Sequence, residues 1–208
     1  TGRIASALAM DVRPGPLERA QAHVRDYEER ERARRQDVWA VPIHLRLSDG
    51  LKELKPGEAD TVIIAGMGGE LIIKILDEGR HVWDSVKQYV LSPQSDLDKV
   101  RRYLAAHGFA IEDEAMVKDE GKYYTVMSVK RGFMEYESQA HYLYGKILID
   151  KKDVILREYL GREMLRIEKI LVSLQAKDGI TDTETRAEAR ISRQKELSWI
   201  KEAQDEMQ

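Results

Sequence analysis

Apolar and polar residues follow one another in short blocks over the first 130 positions, and the blocks divide the chain into strands and helices. Val62-Ile63-Ile64-Ala65 is an apolar run that stops at Gly66-Met67-Gly68-Gly69 and restarts as an amphipathic segment at Glu70-Leu71-Ile72. A continuous apolar run ended by a tight turn reads as a buried parallel strand, and the periodic segment after it as a helix. The same pattern predicts strands at Ala5 to Asp11, Val38 to Leu47, Thr61 to Ala65 and Gln88 to Leu91. Between them it predicts a helix from Pro16 into the charged run Glu28 to Arg35, and others from Glu70 to Glu78 and from Leu97 to His107. Pro16 suits a first helical position, and Ser95 or Asp96 is expected to cap the helix that carries Leu97, Val100, Tyr103 and Leu104. Phe109 to Val117 and Tyr123 to Lys130 then form a hairpin around Asp119-Glu120-Gly121-Lys122. The β-α-β-α-β order argues for a mostly parallel sheet with an antiparallel edge, an α/β fold.

Beyond Gly132 the pattern changes. Ile149 to Leu174 reads as one long charged helix with Leu160, Met164, Ile167, Leu171 and Leu174 in a single stripe. Lys177-Asp178-Gly179 breaks it, and Thr181 or Asp182 starts a second helix that reaches Met207. Two helices with a short connection favour an antiparallel, coiled-coil-like arm. The expected division is residues 1–132 as an α/β domain and 133–208 as the arm, whose role is either packing and dimerisation or RNA contact.

Composition narrows the class. The 208 residues are 42% hydrophobic and 34% charged, with a net charge of −3 and no cysteine. Disulfides and thiolate metal sites are excluded, a cytoplasmic location is expected, and no run approaches the roughly 20 apolar residues of a membrane-spanning helix. The five histidines, His23, His44, His81, His107 and His141, lack metal-ligand spacing, so no metal is expected. A mildly acidic chain does not advertise nucleic-acid binding, although a local basic face would still permit it.

Candidate chemistry gathers at the strand ends, where open α/β sheets bind ligands. Asp11 ends one strand and can accept both hydroxyls of a ribose, or simply cap a turn. Asp49, followed by Gly50 and Leu51, can receive an adenine amino group or serve as a turn carboxylate. Gly66, Gly68 and Gly69 allow close backbone approach to a ligand, or tight packing alone, and they lack the Gly-x-Gly-x-x-Gly spacing of a dinucleotide site. Ser92-Pro93-Gln94 lies at another strand end, where the Gln94 amide can both donate to and accept from a base edge; the plainer reading is an ordinary loop. Tyr123-Tyr124 reads as strand, with an exposed ring able to stack on RNA.

In order, these pieces resemble the bacterial tRNA (adenine-22-N1)-methyltransferases of the TrmK type. The resemblance rests on Asp11-Val12-Arg13-Pro14-Gly15-Pro16-Leu17, Leu47-Ser48-Asp49-Gly50-Leu51, Asp60 through Gly69, Leu91-Ser92-Pro93-Gln94 and Gly121-Lys122-Tyr123-Tyr124. It is close from Ile4 to about Arg131 and holds in type for the arm. It implies a Rossmann-like class I methyltransferase sheet with helices on both faces, S-adenosyl-L-methionine (SAM) as cofactor and tRNA as partner. Asp11 would match the ribose-binding acid, and Asp49, Gly50 and Leu51 would surround the cofactor adenine. Ala65, Gly66, Met67 and Gly68 would line the methionine side. Gly69, Ser92, Pro93 and Gln94 would face the flipped base, with Gln94 the candidate catalytic residue.

Members of that family begin with a strand and an Asp-Ile-Gly-(Ser/Thr)-Asp-His-Gly-like loop that touches the methionine moiety. Those residues do not occur in this sequence, and an N-terminal truncation with weakened SAM binding is the expectation that follows. Rival readings are a SAM methyltransferase for another RNA or a small molecule, and a non-catalytic RNA-binding or dimerising remnant. A nicotinamide-dependent dehydrogenase is weaker still, because the glycine spacing is wrong. Oligomeric state is open, with a monomer favoured.

Overall fold

The computed structural model describes residues 4–34, 41–175 and 184–208. In chain order the elements are β1 (Ala7–Asp11), α1 (Pro14–Arg34), β2 (Ile43–Leu47), β3 (Thr61–Met67), α2 (Gly69–Glu78), β4 (Gln88–Pro93), α3 (Leu97–Ala106), β5 (Phe109–Asp119), β6 (Lys122–Arg131), α4 (Lys146–Asp150), α5 (Val154–Gln175) and α6 (Glu184–Glu206). A 3-10 turn at Arg80–Val82 follows α2, and a π-helical segment at His141–Gly145 leads into α4. No described helix is long and apolar enough to cross a membrane. The chain divides into two compact units, Thr1–Val62 with Ile73–Lys87 and Ile63–Ile72 with Gln88–Gln208.

In the first unit β1 and β2 pair in parallel, from Ala7 opposite Ile43 to Asp11 opposite Leu47. Helix α1 is the crossover that a parallel pair requires. Leu51, Leu54, Ile75, Leu76, Val82 and Trp83 are among the buried apolar residues of this unit's remaining segments. Residues 38–40 of the expected second strand, and Arg35 of the expected helix, lie outside the described residues.

The second unit carries the ordered sheet β3-β4-β6-β5. Strand β6 runs antiparallel to both β4 and β5. Asp119 faces Lys122 across a two-residue turn whose Glu120 (φ 45°) and Gly121 (φ 77°) both adopt the left-handed backbone that hairpin turns use. Tyr89, Leu91, Val100, Leu104, Phe109 and Met127 are fully buried, with Tyr89 and Phe109 edge to face at 5.6 Å. Each such side chain contributes about 1.5–3 kcal/mol by leaving water.

A separate core joins the helical segments: Leu148, Leu156, Leu160, Ile167, Ile200 and Ala203 cluster, with Met164 and Leu171 packed against them. Leu160, Met164, Ile167 and Leu171 of the predicted stripe therefore belong to this core, whereas Leu174 is half-buried outside it. Arg157 reaches the Met207 carbonyl (2.7 Å) and Arg166 reaches Glu196 (3.3 Å), so α5 and α6 pair antiparallel. The predicted break at 177–179 and helix start at 181–182 lie outside the described residues.

Three expectations are corrected. The sheet is not one mostly parallel array but a parallel pair and a four-stranded sheet, because strand periodicity reveals strands and not their partners. The long helix is interrupted at Lys151-Lys152-Asp153. Lys152 takes a positive φ of 53°, and the Asp153 carboxylate accepts from the backbone N–H of Ile155 and Leu156 (both 2.9 Å), restarting the helix as α5. Neither Ser95 nor Asp96 caps α3 with its side chain. Asp96 is left-handed (φ 53°), and its carboxylate is engaged by the Ser95 hydroxyl at 2.6 Å.

Candidate functional site

In the second unit the ends of β3 and β4 are tied together. The Gln94 backbone N–H donates to the Met67 carbonyl (2.8 Å), and the Gly69 N–H donates to the Ser95 carbonyl (3.1 Å). The structure thus brings Met67, Gly68 and Gly69 against Gln94 and Ser95. Glycine is required at position 69, since a Cβ there would stand 2.5 Å from the Ser95 carbonyl oxygen and 2.8 Å from that of Asp96. Those are backbone atoms that cannot swing aside. Ala65, Gly66 and Met67 are exposed, leaving a short stretch of open backbone beside the loop.

The chemistry of this loop pair is polar and mostly uncharged. Pro93 is buried at the end of β4 and Ser92 is half-buried, while the Gln94 side chain is exposed. Its carboxamide has no hydrogen-bond partner among the described residues and is available to donate and accept at once. Asp96 is held below the usual carboxylate range by the Ser95 hydroxyl and then by Lys99. Lys99 is held above its usual range by Glu70 (2.5 Å) and by Asp96 (3.1 Å). Asp96 therefore stays ionised at neutral pH and is no proton donor.

In the first unit Asp11 and the Ser48-Asp49-Gly50-Leu51 turn are neighbours, since the Ser48 N–H donates to the Asp11 carbonyl at 2.9 Å. The Asp11 carboxylate accepts from the Arg13 N–H at 2.8 Å, the turn-capping role open to it from the sequence, and keeps its second oxygen. Asp49 is held below its usual range by Lys52, which it meets at 2.5 Å. Ser48 is buried and closes the turn, its hydroxyl donating to the Gly50 carbonyl (2.8 Å) and accepting from the Glu53 N–H (3.2 Å). Leu51, at 3% exposure, packs tightly on Gly79.

Pattern reading missed two charged residues that fix the second unit. Arg101 and Glu114 are both fully buried and paired at 2.8 Å. Arg101 also donates to the carbonyls of Tyr142 (2.6 Å) and Leu143 (3.0 Å), fastening the π-helical segment to α3. Gly145 is φ +91°, and a Cβ there would lie 2.5 Å from the Glu114 carboxylate. Positions 97, 100, 101 and 104 share one helix face, which was the available signal for Arg101.

The comparisons agree with this architecture. A Bacillus subtilis tRNA (adenine(22)-N(1))-methyltransferase is 31% identical over 133 residues, 62% of this chain and 56% of its own. A Mycoplasma pneumoniae relative is 30% identical over 125 residues, 57% of each chain. The chain thus spans little more than half the length of these curated relatives. Among solved structures, a Streptococcus pneumoniae protein superposes with a TM-score of 0.81 at 28% identity, covering 97% of this chain and 83% of that one. The crystal structure of the B. subtilis M1A22 tRNA methyltransferase gives 0.76 at 25% identity, covering 95% and 81%. These superpositions establish the Rossmann-like α/β methyltransferase fold. The family model for tRNA (adenine(22)-N(1))-methyltransferase matches residues 1–197, and the chain belongs to that family.

Proposed function

We propose that the protein transfers the methyl group of SAM to N1 of adenine 22 in tRNA, in the cytoplasm. The observation that carries this reading is the tied pair of strand-end loops in a chain of this family: exposed backbone at Ala65–Met67 beside an unpaired Gln94 carboxamide. The S. pneumoniae structural relative has been crystallised with SAM, which supports the choice of cofactor. Asp11 would receive the ribose hydroxyls, and Asp49, Gly50 and Leu51 would meet the adenine. Ala65, Gly66, Met67 and Gly68 would hold the methionine portion, and Gly69, Ser92, Pro93 and Gln94 the target base. The 133–208 segment is assigned to a helical arm.

The chemistry asks little of a general base. Adenine N1 attacks the methyl carbon with a lone pair, the sulfonium bond breaks, and S-adenosylhomocysteine leaves with the electron pair. No proton need be removed first, so the protein's task is to extrude the base, aim N1 and tolerate the positive charge that appears on the ring. Gln94 is suited to hold the base edge. Gln94→Ala is expected to lower methylation of a tRNA transcript by about tenfold, the loss of one or two hydrogen bonds, with SAM affinity by calorimetry unchanged. Equal loss of both removes Gln94 from that role. Equal transfer to a transcript with guanine at position 22, or no transfer to either, overturns the reaction itself.

A further inference from the structure

The two strand-end loops of the second unit are joined by side chains as well as by backbone. Lys99, in the first turn of α3, reaches the Glu70 carboxylate in the first turn of α2 at 2.5 Å and the Asp96 carboxylate at 3.1 Å. Asp96 in turn accepts from the Ser95 hydroxyl at 2.6 Å, and the Ser95 carbonyl accepts from the Gly69 N–H at 3.1 Å. Since Gly69 and Glu70 are consecutive, these contacts close a ring that runs from Gly69 through Glu70, Lys99, Asp96 and Ser95 back to Gly69. Gln94 is the next residue along the chain from the ring, its N–H on the Met67 carbonyl at 2.8 Å.

Fold stability does not account for the ring. The Lys99 and Glu70 side chains are 51% and 72% exposed, and ion pairs so open to water add little to stability. A lysine in the first turn of a helix also opposes the helix dipole, which favours an anion there. Asp96 adopts the left-handed backbone (φ 53°, ψ 39°), which aspartate tolerates better than most side chains. That turn sets the Asp96 carbonyl oxygen and Cβ only 2.8 and 3.0 Å from where a Cβ on Gly69 would stand. What the ring supplies is a fixed separation between two loops, since each of its members is held from both sides.

We propose that Lys99 and Asp96 are positioning residues for the methyl transfer: the ring sets the separation of the Gly69 and Ser95 loops and so fixes where the Gln94 carboxamide meets the target base. The proposal rests on the methyl-transfer reading and adds to it the means by which a side chain on an exposed loop is aimed. Lys99→Met keeps the reach of the side chain and breaks both ion pairs, whereas Lys99→Arg retains the charge that makes them. Asp96→Gly keeps the left-handed turn and removes the carboxylate.

Amide hydrogen exchange of the whole chain is followed by NMR for the parent and these three variants, alongside the kinetics of methylation of a tRNA transcript. Lys99→Met and Asp96→Gly are expected to speed exchange at the Gln94 and Gly69 amides about fivefold, roughly the loss of one hydrogen bond. Exchange in β5 and β6, which reports opening of the sheet as a whole, stays at the parent rate. The methylation rate at saturating tRNA and SAM falls by a similar factor, KM for tRNA and affinity for SAM do not move, and Lys99→Arg keeps both rate and protection near the parent's. Unchanged exchange at the two amides, exchange raised equally across the sheet, or a raised KM with the saturated rate intact overturns the proposal. A parent that transfers no methyl group overturns the methyl-transfer reading and with it the purpose assigned to the ring, while the exchange rates still decide whether the ring holds the loops.

Discussion

Arg46 and Glu58 show how single side chains hold the turn that carries Asp49, Gly50 and Leu51. Arg46 donates to the Glu53 carbonyl (2.7 Å) and to both oxygens of Glu58, and the Lys55 N–H donates to Glu58 as well (3.0 Å). The Arg46 guanidinium, with the Lys55 N–H behind it, draws the Glu58 pKa down to about 2 from its ordinary value of 4.5. A carboxylate depressed on folding adds stability above its unfolded pKa, and loses it as pH falls through the folded value. Its contribution is thus complete above about pH 4.5 and fades toward pH 2. Glu58→Gln is expected to remove that share of the acid-induced loss, so that urea midpoints of variant and parent converge between pH 4.5 and 2. A constant gap across the window would show that Glu58 acts by packing alone. None of this was legible in the sequence, where Arg46 and Glu58 are two charges twelve positions apart among many.

Strand and helix identities were legible because hydrophobic spacing survives in the sequence. β3, β4, α3 and the β5–β6 hairpin stand close to where apolar runs and turn residues put them. What stayed hidden were departures from regular period. In β5 the register shifts between Ile111 and Asp113. The buried set therefore runs Phe109, Ile111, Glu114, Met116, and strict alternation would have sent Glu114 outward. That one slip brings Glu114 inward to Arg101. Within the candidate site, the glycine turn and the Ser92-Pro93-Gln94 strand end were readable, whereas the hydrogen bonds tying them together depend on strand neighbours that no local pattern encodes. Glu114→Gln leaves Arg101 buried without its counter-charge, which costs about 3–5 kcal/mol. Replacing both residues with apolar ones of similar size should recover most of that. Denaturant unfolding of the single and double variants measures it, and a double variant no better than the single would show that the carbonyl contacts of Arg101 dominate.

At the scale of the whole molecule, the strands of the described residues fall into two sheets, which have more edges than one. Among the described residues β3 has a partner only in β4, and its Ile63 is 71% exposed. An open strand edge with a large apolar side chain invites pairing with other chains. Ile63→Lys is expected to lower concentration-dependent light scattering while shifting stability by no more than about 0.5 kcal/mol, the usual limit for an exposed site. Unchanged scattering would place the adhesive surface elsewhere.

The Arg101–Glu114 pair has a further consequence, for modularity. Residues from α3, β5 and the segment before α4 meet at one buried charge pair, with Gly145 pressed against it. Residues seated in this way cannot be exchanged as a loose cassette. A chimera that grafts residues 133–208 onto a foreign sheet must import arginine and glutamate at the matching places, together with the strand irregularity that turns the glutamate inward, or the graft will have no seat.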